Sequence, residues 1–175
     1  MIKRVGALVL ALVFAAGFGR LALAKSEEVA GAKKTISIIF DNGITEGLDA
    51  RQAKSREQLG AWMAPDLVRV FERYAKSGFE AKLIVKETEF VPAEGSYLLK
   101  VKIVDYNPGS KAARMIVGFG AGGVSLKINY EIYSDLKIQA VLTKDDGVYS
   151  GREWVNAARK LNENTAKAVT ETLSK

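Results

Sequence analysis

The chain has 175 residues, with 26 Lys and Arg against 20 Asp and Glu, and neither cysteine nor histidine. Those two absences exclude a disulfide framework, the usual Cys/His zinc and copper sites, and any Ser-His-Asp or Cys-His nucleophile. The formal net charge of +6 invites a nucleic-acid or anionic-membrane reading, but the placement of the basic residues argues otherwise.

Met1-Ile2-Lys3-Arg4 is a short basic start. Val5 to Gly19 is uncharged and mostly apolar, Arg20 interrupts the run, and Leu21-Ala22-Leu23-Ala24 sets small residues at −3 and −1 before Lys25. This order of parts predicts a secretory signal peptide over residues 1–24, cleaved between Ala24 and Lys25. The competing reading is an uncleaved anchor, but the apolar run is shorter than the roughly 20 residues a spanning helix needs. Lys3-Arg4 offers no twin-arginine motif. Cleavage would leave 151 residues, enough for one core. It would also remove Lys3, Arg4 and Arg20, lowering the net charge to +3. The remaining charges alternate in sign, as on a solvated mixed surface. A periplasmic location is expected, with no membrane span in the mature form. Without a cysteine for lipid attachment, the chain is not expected to be a lipoprotein.

Lys25 to Lys34 reads as a flexible leader, followed by a single α+β domain over 35–175. Ile36, Ile38 and Phe40 signal a short strand ended by Asp41-Asn42-Gly43. Residues 44–56 are polar and carry no clear signal. Leu59, Trp62, Met63, Leu67, Val70, Phe71 and Tyr74 recur at helical spacing, with Pro65 suited to a first turn or a kink and Ser77-Gly78 to a stop. Phe79, Ala81, Leu83 and Val85 then alternate with charged residues. After a break at Pro92 and Glu94-Gly95, Tyr97, Leu99, Val101 and Ile103 do the same.

The clearest strand is Val124 to Ile132, with Val124, Leu126, Ile128, Tyr130 and Ile132 on one face. Ser134-Asp135 reads as a turn, Leu136 to Leu142 as a final strand, and Asp145-Asp146-Gly147 as another turn. Ser150-Gly151-Arg152-Glu153 has capping-box spacing. Trp154, Ala158, Leu161, Thr165, Val169 and Leu173 form the stripe of a last helix. The order predicts a two-layer sandwich: a mainly antiparallel or mixed sheet of about five strands packed on two helices.

Residues 107–123, Asn-Pro-Gly-Ser-Lys-Ala-Ala-Arg-Met-Ile-Val-Gly-Phe-Gly-Ala-Gly-Gly, are unlike the rest. A phosphate loop would open a helix or end in Gly-Lys-Ser/Thr, whereas Val124 opens a strand. Two readings stay open. The glycines let a strand edge bend or approach another backbone. Alternatively, Arg114, Met115, Val117, Gly118, Phe119, Gly120 and Gly122 form an interaction loop, apolar between flexible ends.

This stretch, with its Arg114 and Gly118-Phe119-Gly120-Ala121-Gly122 ahead of an alternating strand, resembles the hallmark of the bacterial domain-of-unknown-function family 4410. The resemblance is specific over 105–132 and extends over about 36–173. It implies a small exported envelope protein with an α/β layout similar to that of periplasmic accessory domains. Many such members look like lipoproteins; this chain departs from them in lacking the lipid-accepting cysteine.

No cofactor or metal is expected, and no nucleic-acid partner. The first functional expectation is a non-catalytic accessory domain that binds another envelope protein. A small-ligand carrier with Trp62 and Trp154 lining a pocket is the alternative. A hydrolase or transferase using Asp105, Asp135, Asp145, Asp146 and Glu153 is the remote one, since two aspartates before a glycine read first as a turn.

Overall fold

The structure, a computed structural model, describes residues 33–43, 46–109, 122–134, 139–151 and 153–175. In chain order these form strand β1 (Lys34–Asp41), helix α1 (Ala50–Glu72), a 3-10 turn (Ala75–Ser77), β2 (Phe79–Leu83) and a second 3-10 turn (Glu87–Glu89). Strands β3 (Ser96–Asn107), β4 (Val124–Ser134) and β5 (Leu142–Ser150) follow, and helix α2 (Trp154–Leu173) closes the order. The sheet runs β2-β1-β3-β4-β5. β1 is parallel to both its neighbours, while β3–β4 and β4–β5 are antiparallel. The mixed five-stranded sheet with two helices is the predicted α+β architecture.

The alternation read in the sequence decides which face the helices cover. Val124, Leu126, Ile128, Tyr130 and Ile132 of β4 are all buried, as are Leu99, Val101 and Ile103 of β3 and Ile36 and Ile38 of β1. Against them α1 sets Leu59, Met63, Leu67, Val70 and Phe71, and α2 sets Ala158, Leu161, Ala166 and Val169. Each such large aliphatic residue contributes about 1.5 to 3 kcal/mol on burial. The helices are also joined through a buried polar bridge. The Asn162 amide donates to the Met63 carbonyl at 3.0 Å and to Asp66 Oδ2 at 2.9 Å. A buried amide held by two acceptors fixes the helices in one register.

The two parallel connections lie on opposite faces. From β1 the chain steps outward to β2 through α1, then steps back over β1 to β3. Reversing the step while keeping the usual right-handed crossover moves the connection to the other face. Glu87 of that second connection pairs at 2.6 Å with Lys100, which lies between the inward-facing Leu99 and Val101 and so points away from the helices. Ser37 and Leu98 on that same face are buried.

Four expectations are corrected. Helix α1 begins at Ala50, some two turns before the first strongly apolar position. Asp49 accepts from the Gln52 amide at 2.8 Å, and Gln52 Oε1 accepts from the Asp49 amide at 3.2 Å, a complete capping box. Pro65 therefore sits inside the helix rather than in its first turn; lacking an N–H, it leaves the Ala61 carbonyl without its helical donor. The last strand is Leu142–Ser150, not 136–142, and it runs straight through Asp145-Asp146-Gly147. Pairing with β4 along nine residues outweighs the local turn preference. Helix α2 has Glu153 as N-cap with no side-chain cap bond, so the capping box at Ser150 does not form. Finally, β2 stops at Leu83: Ile84 turns inward, and Val85 is 82% exposed.

Candidate functional site

The glycine-rich segment joins β3 to β4, so its two ends are held side by side by an antiparallel hairpin. The last paired residues are Asn107 and Ser125. Asn107 Oδ1 accepts from the Gly109 amide at 2.9 Å, a local turn of the kind asparagine favours. Gly109 has φ +75° and Gly122 φ +68°, a region open to glycine and strained for other residues. The fit is tight: a Cβ on Gly109 would lie 2.4 Å from the Gly122 carbonyl oxygen. A Cβ on Gly123 would lie 2.3 Å from the Tyr149 hydroxyl. Tyr149, opposite Ser125 in β5, thus lies across the bare Gly123 backbone and is still 61% exposed. These glycines close the base of the segment between two strands and set an exposed phenol beside it.

Of the proposed interaction residues, Gly122 belongs to this base. Arg114, Met115, Val117, Gly118, Phe119 and Gly120 lie outside the described residues, as do Ala24 and Lys25 of the cleavage site and Asp135 and Arg152. Tyr149 is the residue that sequence reasoning missed. Its position in β5 was hidden by the turn reading of Asp145-Asp146-Gly147.

The other candidates do not converge. Asp145 accepts from Asn129 on the open face of the sheet at 2.9 Å. Asp146 faces the helices, accepting from Asn164 of α2 at 3.1 Å and from the Gly147 amide at 2.8 Å. Strand alternation puts these two carboxylates on opposite faces, where they cannot share one cation. Asp105 sits at an irregularity in β3, opposite Lys127. Among the described residues no group of three metal-ligating side chains comes together, and no helix is long and apolar enough to cross a membrane. Trp62 and Trp154 pack edge to face, 5.7 Å between centroids, with the Arg159 guanidinium 5.7 Å from the Trp62 ring. The pair fills the seam between the helices.

Three tyrosines have raised pKa values. Burial, with Asp146 behind it, pushes Tyr130 up to about 12. Tyr133 is also pushed up to about 12, chiefly by the hydrogen bond it donates to Glu131 at 2.5 Å. Burial alone raises Tyr106, the residue before Asn107 at the hairpin base.

Solved structures share this layout. The chain is similar to the PelC dodecamer from Paraburkholderia phytofirmans, at 10% identity over 75% of this chain and 85% of that one, with a TM-score of 0.52. It is similar to a DUF330 protein from Xanthomonas campestris, at 9% identity over 82% and 87%, with a TM-score of 0.50. At these identities the likeness is one of fold. No curated protein matches the chain. The model of one sequence family matches residues 45–172, well over half the chain, and the chain belongs to that family, the domain of unknown function DUF4410.

Proposed function

We propose that the chain is an exported cell-envelope protein without catalytic activity of its own, which acts by binding another envelope protein through the segment that Gly109, Gly122 and Gly123 close off. The observation that carries this reading is the hairpin base. Two left-handed glycines and a tyrosine laid over a third fix both ends of a segment whose sequence is apolar at Met115, Ile116, Val117 and Phe119 and basic at Lys111 and Arg114. A loop anchored on a rigid hairpin can present side chains without the sheet having to deform. The PelC structure is a dodecamer, which supports the use of this fold as an assembling unit. The signal-like residues 1–24 support export to the periplasm, with Lys25 as the first residue of the processed chain. Edman sequencing of protein from the envelope fraction tests that point. A chain still beginning at Met1 would contradict it.

The binding claim is tested by Phe119→Ala and Arg114→Ala in the native host. Both variants should keep their melting temperature and lose the partner recovered by chemical cross-linking. Retained capture, or recovery of the protein alone from wild-type cells, overturns the reading.

A further inference from the structure

Strand β5 is one edge of the sheet, and among the described residues no further strand pairs with the outer side of Leu142–Val148. We infer that a second copy of this chain adds there, β5 against β5, antiparallel about a two-fold axis through Asp145. An isologous interface must be self-complementary, and the strand's own sequence supplies the test of registers. Centring on Asp145 sets Lys144 opposite the copy's Asp146 and Leu142 opposite its Val148, each pair occurring twice, with Thr143 opposite Gly147. Lys144, Asp146, Leu142 and Val148 all face the helix side, because their partners in β4 (Tyr130, Ile128, Ile132 and Leu126) are the buried ones. The facing pairs therefore meet on one surface. Shifting the axis to Asp146 instead places Asp146 against itself and Lys144 against Val148, losing both ion pairs.

Cross-strand pairs of opposite charge or of apolar residues add to the new backbone hydrogen bonds. Asp145 meets its own copy on the axis, on the opposite face, where Asn129 already donates to it. That like-charge contact limits the affinity and gives a variant expected to improve it.

The test exploits the absence of cysteine from the chain. Paired residues in antiparallel strands have Cα atoms about 4.5 to 5.5 Å apart, within disulfide range. Asp145→Cys should give a disulfide-linked dimer under mild oxidation. Thr143→Cys, whose equivalents lie about 13 Å apart in this register, should not. By light scattering, Asp145→Asn should associate more tightly than the native chain. Lys144→Glu should associate about tenfold more weakly, and Lys144→Glu with Asp146→Lys should recover. Circular dichroism confirms that each variant is folded. Equal cross-linking at 143 and 145, or a native chain monomeric at high micromolar concentration, overturns the pairing. Phe119→Ala should leave this dimer unchanged, so the pairing and the binding proposal can fail separately.

Discussion

Replacing Gly109 by alanine tests the geometry on which the candidate site rests. Two penalties are separable. Left-handed backbone costs a residue with a Cβ about 1 to 2 kcal/mol wherever it occurs. At Gly109 the new methyl would also lie 2.4 Å from the Gly122 carbonyl oxygen and 2.9 Å from that of Gly123. Both are backbone atoms of the facing strand entry, which cannot swing aside as a side chain would. Forcing such an overlap costs about 1 to 3 kcal/mol more. Gly47 is the internal control, since its φ is +81° and a Cβ there meets nothing within 4 Å. Gly47→Ala should therefore cost about 1 kcal/mol and Gly109→Ala about 3 kcal/mol, a large part of the 5 to 15 kcal/mol that holds a domain together. Urea unfolding followed by tryptophan fluorescence measures both, with equal m-values confirming that only native stability has changed. If Gly109→Ala costs no more than Gly47→Ala, the hairpin base is not set by that backbone approach.

Asn162→Leu removes both hydrogen bonds of the interhelical bridge and strands the buried Asp66 carboxylate; a loss of about 2 to 3 kcal/mol in urea unfolding is expected, and a loss below 0.5 would contradict the bridge. Tyrosines ionise near pH 10 in the unfolded chain, while folding holds Tyr130 up to about 12. Between those values the unfolded chain gives up a proton that the folded chain keeps, so stability is full below pH 10 and declines towards pH 12. The contribution of the enclosed Tyr130 is about 2 to 3 kcal/mol. Tyr130→Phe should flatten that part of the decline, and an unchanged slope would remove Tyr130 as its source.

The sequence shows its layers where burial is one-sided. Val124 to Ile132 alternates strictly because one face of β4 lies under α2 in the core and the other stays wetter, so strand, register face and core followed together. Leu161, Thr165 and Val169 did the same for α2. Reading failed where local chemistry and tertiary pairing disagree. Asp145-Asp146-Gly147 has the composition of a turn, yet each carboxylate finds a partner in the sheet or helix, at Asn129 and Asn164, and Lys127 packs over Gly147, its Cγ 3.2 Å from where a Cβ would stand. None of those partners is near in sequence. The start of α1 was legible in principle, since Asp49 and Gln52 have capping spacing, but the helix's first two turns are largely exposed and lack an apolar stripe. At the candidate site the glycines were visible and their geometry was not. A left-handed φ at Gly109 and the lie of Tyr149 over Gly123 depend on strands that the sequence orders only by face.

The most direct test of the binding claim places a photo-cross-linking amino acid at Phe119 in intact cells of the native host, with Lys76, exposed in the 3-10 turn at the opposite end of the sheet from the hairpin base, as control. The account predicts one discrete adduct from position 119, containing a second envelope protein, and none from position 76. Identical products from both positions, or no adduct at 119, would contradict it.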